Sequence, residues 1–196
     1  MHELGVRGVR VNLKTTTQVP DRTSLKKMLG TYADRIRPYG WALQLYISLS
    51  QIALIAEDLP MLGVPVVIDH LGAPSETAPP RKQTGYAQLM ALLTEQKVYI
   101  KLSGLYRFPT MPDLEDYIRE ILRVAPTQVV WASDWPHSGG VEANPGGDRT
   151  KVQEYRKVNI PSFVLDCKRW CDGDEELVRK IWVENPRRLW QYGGED

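Results

Sequence analysis

Five short apolar runs alternate with five longer stretches of helical periodicity, and that alternation constrains the fold more than any other feature of the chain. The runs are GVRGVRVNL (5–13), WALQLYI (41–47), VPVVID (64–69), VYIKL (98–102) and VVWAS (129–133). Each is short, β-branched or aromatic in bias and bounded by Gly, Pro or polar residues, as strands are. Between them, residues 21–38, 48–62, 85–96 and 111–124 place apolar side chains at helical spacing, with Asp21, Thr23 or Ser24 able to cap the first. After the fifth run a Gly/Pro/Asn-rich loop (136–150) leads into helical segments through Tyr155, around 162–171, over 174–183 and around 186–190. Repeated strand–helix alternation predicts right-handed βαβ units and a parallel α/β sheet, either doubly wound or part of a barrel. No Gly-rich phosphate loop follows any strand, which weighs against a nucleotide-binding sheet.

In parallel α/β folds the C-terminal strand ends carry the site, because the following loops converge there. Here those ends carry Arg10 and Asn12, Gln44 and Tyr46, Asp69 and His70, Lys101 and Ser103, and Ser133 and Asp134. So many polar groups on apolar strands are costly unless they face one wet pocket. Asp134 ends the run VVWAS and can take a proton from water or bind a cation in a partly desolvated cavity. Strand alternation predicts that Asp69 and His70 point to opposite sides, so only one should face the pocket. Asn12 and Ser103 read equally well as rim residues, Arg7 as structural, and Lys101 as facing the barrel interior or pairing with a carboxylate.

With 25 basic and 24 acidic residues and no charge block, the chain has no nucleic-acid footprint. No apolar run is long enough to cross a bilayer, and the N-terminus has no signal-peptide pattern. Cys167 and Cys171, four apart and without a matching His or Cys pair, read as helix residues rather than a metal clip, which predicts a reducing, cytoplasmic setting.

VVIDHLGAP (66–74), VYIKLSGLYRF (98–108), VVWASDWPH (129–137) and VENPRRLW (183–190), in this order, resemble the amidohydrolase-related branch of the amidohydrolase superfamily. That branch includes 2-pyrone-4,6-dicarboxylate hydrolases and sugar lactonases. GVRGVRVNL and WALQLYI also look like its middle strands, so the likeness spans nearly the whole chain. The resemblance implies a (β/α)8 TIM barrel of which this chain, a single domain over residues 1–196, carries strands four to eight plus the C-terminal helices. It implies a hydrolase acting on a lactone or a related ester or amide bearing a carboxylate, with Asp134 as the general base. His70 would polarise the carbonyl or, in metal-dependent members, bind a divalent zinc or manganese ion with Asp134. Arg10, Lys101, Tyr106, Arg107 and His137 are the implied substrate contacts.

Two departures accompany the likeness. The family's first-strand His-x-His pair occurs nowhere among the three histidines, His2, His70 and His137. The first three βα units are expected to be missing with it, so no metal is predicted from this chain's residues alone. The arginine that follows the sixth-strand histidine in pyrone-dicarboxylate hydrolases is replaced here by Leu71-Gly72-Ala73-Pro74. An open barrel has two unpaired edges and an uncovered inner face expected to be apolar, so the rival expectation is an inactive fragment or an interaction protein, including self-association.

Overall fold

A computed structural model describes residues 1–14, 20–139, 144–148 and 150–193. Five parallel strands lie side by side in sequence order: β1 (Gly8–Asn12), β2 (Ala42–Tyr46), β3 (Val66–Ile68), β4 (Tyr99–Leu102) and β5 (Val129–Trp131). The intervening helices are α1 (Arg22–Ile36), α2 (Leu49–Ile55), α3 (Tyr86–Thr94) and α4 (Leu114–Val124). Three more follow β5: α5 (Ile160–Trp170), α6 (Glu175–Arg179), continued by a π-helical turn Lys180–Glu184, and α7 (Asn185–Trp190). No helix among the described residues is long and apolar enough to cross a membrane.

The period-2 alternation of the strands divides the sheet into two chemically different faces. Val9, Val11, Leu43, Leu45, Val66, Ile68, Ile100, Leu102 and Val129 face outward and pack with Leu25, Leu29, Ile52, Leu89, Ile118 and Ile121 in one core. The other face starts apolar at the N-terminal strand ends, where Ala42, Val67 and Val130 pack with Leu189 of α7. Asn185 holds α7 there by donating to the carbonyls of Pro126 and Val129 at 2.9 and 2.7 Å. Further up, that inner face becomes polar: Arg10 pairs in register with Gln44, and Asn12 with Tyr46. The inner face is therefore not the continuous apolar surface expected of an open barrel.

Helix α2 begins with a capping box, in which Ser48 accepts from the Gln51 backbone N–H and the Gln51 side chain accepts from the Ser48 N–H. Ser48→Ala is expected to cost about 1 kcal/mol, measurable as a lower urea midpoint with an unchanged slope.

One helical expectation fails. Residues 152–159 are irregular, because this segment has no apolar stripe to bury. Val152 and Tyr155 are 98% and 65% exposed, and helix α5 starts only where Asn159 caps Ser162. Residues 140–143 and 149 of the long loop lie outside the described residues.

Candidate active site

The polar ends of the strands surround a cavity of about 490 Å³ lined by Arg10, Asn12, Gln44, Tyr46, Asp69, His70, Lys101, Ser103, Arg107 and the 132–136 turn, among others. Asp69 and His70 both face it, contrary to the strict alternation expected of a strand. The cause is backbone: β3 ends at Ile68, and His70, Leu71, Gly72 and Ala73 all have positive φ, at 48°, 57°, 75° and 41°. Three of these are non-glycine residues in a region that costs about 1 kcal/mol each, so packing must hold them. It does: Leu71 is fully buried, and the buried Tyr117 hydroxyl donates to its carbonyl at 2.8 Å.

Asp69 is 1% exposed and acts as the hub of a four-residue network. Its Oδ2 accepts from Arg10 Nε at 2.7 Å and from Gln44 Nε2 at 2.8 Å. Lys101 Nζ lies 3.5 Å from Asp69 Oδ1, donates to Gln44 Oε1 at 2.5 Å and sits 5.6 Å above the Trp190 ring. Both readings of Lys101 thus hold, since it faces inward and pairs with a carboxylate. Burial pulls its ammonium below the usual lysine range against the opposing pull of Asp69.

Asp134 also has positive φ, 62°, which turns its carboxylate over the cavity. Its two oxygens differ. Oδ2 accepts from the Tyr106 hydroxyl at 2.6 Å and from Arg107 Nε at 2.9 Å, whereas Oδ1 faces His70 Nε2 at 3.5 Å. Burial raises the Asp134 pKa, but His70, the Tyr106 hydroxyl and Arg107 outweigh it and hold the carboxyl below its ordinary value. Tyr106 is pushed up to about 12 by burial and by its bond to that carboxylate, so it stays a donor.

His70 is 3% exposed, with its ring edge-on to Tyr46 at 4.9 Å between centroids. Burial pushes it down to about 4, although Asp69 and Asp134 pull the other way, so it is neutral near pH 7. A depressed folded pKa means that the unfolded chain takes up the proton first. Stability from this group is therefore full above about 6.5 and is lost as the pH falls toward about 4. Urea titrations at several pH values are expected to show this acid-side loss in the native chain and a smaller one in His70→Gln.

Ser103, which read equally as a rim residue, is fully buried, with its Oγ 2.8 Å from His70 Nδ1. The following Gly104 has φ +66°, and a Cβ there would come within 2.7 Å of the same nitrogen, so glycine lets the ring seat. His137 does not stand among the cavity-lining residues. Its Nε2 donates to the Ser133 carbonyl at 3.0 Å and its ring packs edge-on against Tyr106, bracing the turn that carries Asp134. Arg156 carried no signal in the sequence: it comes from the irregular 152–159 segment and lies 5.4 Å above the Tyr106 ring. His2 is spent elsewhere, accepting from Trp41 Nε1 at 2.9 Å.

The family model for amidohydrolases matches residues 1–191. The chain belongs to the amidohydrolase family. Among curated relatives, a 4-sulfomuconolactone hydrolase of Hydrogenophaga intermedia is 32% identical over 156 residues, covering 76% of this chain and 46% of the relative. A 2-pyrone-4,6-dicarboxylate hydrolase of Comamonas testosteroni is 26% identical, covering 97% of this chain and 61% of the relative. This amidohydrolase chain thus spans about half to three-fifths of the length of those relatives. A solved structure from Pseudomonas putida is 27% identical with a TM-score of 0.71, covering 100% of this chain and 67% of that one. The fold is accordingly the five-strand, α/β part of the family's barrel.

A neighbouring amidohydrolase of Burkholderia multivorans, 15% identical at TM-score 0.71 over 95% of this chain and 65% of its own, holds zinc, and that likeness shows the fold alone. The residues of this chain do not fit such an ion by themselves. His70 Nε2 and Asp134 Oδ1 approach to 3.5 Å, Asp134 Oδ2 is occupied by Tyr106 and Arg107, and among the described residues no group of three or more His, Cys, Asp or Glu is placed to hold a metal ion. Catalytic zinc sites take three protein ligands.

Proposed function

We propose that this chain carries the water-activating part of a lactone hydrolase site, with Asp134 as general base and His70 as the group that meets the substrate carbonyl. The observation that carries this reading is the asymmetry of the Asp134 carboxylate. Oδ2 is clamped by Tyr106 and Arg107, so the carboxylate cannot swing, while Oδ1 is left facing His70 and the cavity. A base must lie within reach of the proton it abstracts and be ionised at the working pH; the place of Asp134 on the cavity wall and its lowered pKa support both.

In this scheme Oδ1 takes one proton from a water molecule as its oxygen bonds to the lactone carbonyl carbon. The carbonyl oxygen becomes an oxyanion, stabilised by the neighbouring cation Arg107 and by His70. Such a well-placed contact is typically worth about 3 kcal/mol. Collapse of the adduct breaks the ring C–O bond, and the protonated Asp134 returns its proton to the leaving oxygen. The product is an open-chain hydroxy acid or its keto tautomer, and the carboxylate is regenerated.

The cavity walls carry Arg10, Lys101 and Arg107 against Asp69 and Asp134, an excess of one positive charge while His70 is neutral. That favours a lactone with an anionic substituent. Arg10, whose side chain is 43% exposed, is the cation best placed to meet it. The relatives named for a sulfonated muconolactone and for a pyrone dicarboxylate point to the same class.

The test is a substrate panel of muconolactones bearing a sulfonate, a carboxylate or neither. The anionic lactones are expected to show lower KM. Arg10→Ala should raise KM for them about tenfold or more, as loss of one charge-assisted hydrogen bond implies, with little change for the neutral lactone. Equal KM across the panel in both proteins contradicts the assignment of the anionic substituent to Arg10.

A further inference from the structure

His70 and Ser103 form a buried pair whose protons can be placed by elimination. A neutral imidazole carries one N–H, so one ring nitrogen donates and the other accepts. Ser103 Oγ is fully buried, and among the described residues its one hydrogen-bond partner is His70 Nδ1, at 2.8 Å. Leaving a buried hydroxyl hydrogen without an acceptor costs about 1 to 3 kcal/mol. The serine avoids that cost by donating to Nδ1, which must then be the bare nitrogen. The far side of the ring is compatible with that placement, through a longer and weaker contact than the serine bond. Nε2 is buried, has no hydrogen-bond partner among the described residues and lies 3.5 Å from Asp134 Oδ1. A lone pair directed at a carboxylate oxygen is repelled there, whereas an N–H is attracted.

We propose that Ser103 is a positioning residue that fixes His70 as the Nε2-protonated tautomer, so that the imidazole presents a hydrogen-bond donor to the cavity. Gly104 serves the same arrangement, since a side chain there would push the ring off the serine. The catalytic consequence rests on the hydrolase reading above: Nε2–H donates to the substrate carbonyl oxygen as negative charge develops on it, and Asp134 is left as the sole base of the pair. The same tautomer withholds from any cation the Nε2 lone pair that imidazole ligation requires.

The measurement is a long-range proton–nitrogen NMR correlation on the full chain labelled with 15N-histidine, recorded near pH 7. The His70 signals are identified by their loss in His70→Gln. The expected result is a protonated Nε2 and an unprotonated Nδ1 in the native chain. In Ser103→Ala the two nitrogens should move toward a common averaged position as both tautomers become populated. A protonated Nδ1 in the native chain overturns the proposal. An unchanged Nε2–H tautomer in Ser103→Ala overturns the role of Ser103, because Asp134 would then set the proton alone. If the variant does not fold, the native spectrum still decides the tautomer. No substrate enters the experiment, so its failure is separate from failure of the hydrolase reading.

Discussion

Asp134→Asn is expected to lower kcat for lactone hydrolysis about 10³-fold, within the range that a positioned general base contributes. The substitution keeps the shape of the side chain, and its remaining carbonyl oxygen can still accept from Tyr106 and Arg107. What it removes is the charge and basicity of the free Oδ1. Because the clamp on Oδ2 is retained in part, KM should change far less than kcat. Steady-state kinetics on the native and variant chains check this, and far-UV circular dichroism separates a chemical loss from unfolding, which would also lower the apparent kcat without changing KM. A fall of less than tenfold with a folded variant would mean that another group takes the water's proton.

Asp69→Ala should give the largest loss of stability, about 3 kcal/mol. It removes the shared acceptor of Arg10 and Gln44 and leaves Arg10 and Lys101 as neighbouring cations without their common anion. Truncating a buried partner costs that much because the mostly buried Lys101 ammonium loses its counter-charge while it stays largely desolvated, whereas the half-exposed Arg10 turns to water. For a chain of this length the loss corresponds to a drop in Tm of roughly 6 to 12 °C. Thermal melts of native and variant chains measure it. A drop below about 2 °C would show that the network is solvated rather than structural.

The sequence carried the architecture well because its signals are repetitive. Five apolar runs separated by helical stretches define five strands, and the polar residue closing each run marks the edge on which the cavity lies. Arg10, Lys101, Arg107, His70 and Asp134 all come to that edge. What escaped the sequence depends on backbone that no local pattern announces. His70 shares the pocket with Asp69 only because four successive residues from His70 to Ala73 adopt positive φ, and among these only Gly72 is a residue type that favours it. Ser103 reads as a rim residue because a hydroxyl at a strand end has many uses, and its partner lies 33 residues away. His137, three residues after Asp134, braces the turn instead of lining the cavity, since its ring is drawn back to the Ser133 carbonyl. The helix expected through Tyr155 fails for want of an apolar face, and that irregular path is what brings Arg156 over Tyr106.

The most direct test of Asp134-based hydrolysis is a pH-stat assay of the native chain on an anionic muconolactone, run beside Asp134→Asn and with and without a chelator. The proposed mechanism predicts one acid group released per lactone consumed, a rate that collapses in the variant, and no effect of the chelator, since two convergent donors do not make a zinc site. Absence of acid release, or release at the same rate in Asp134→Asn, would contradict it.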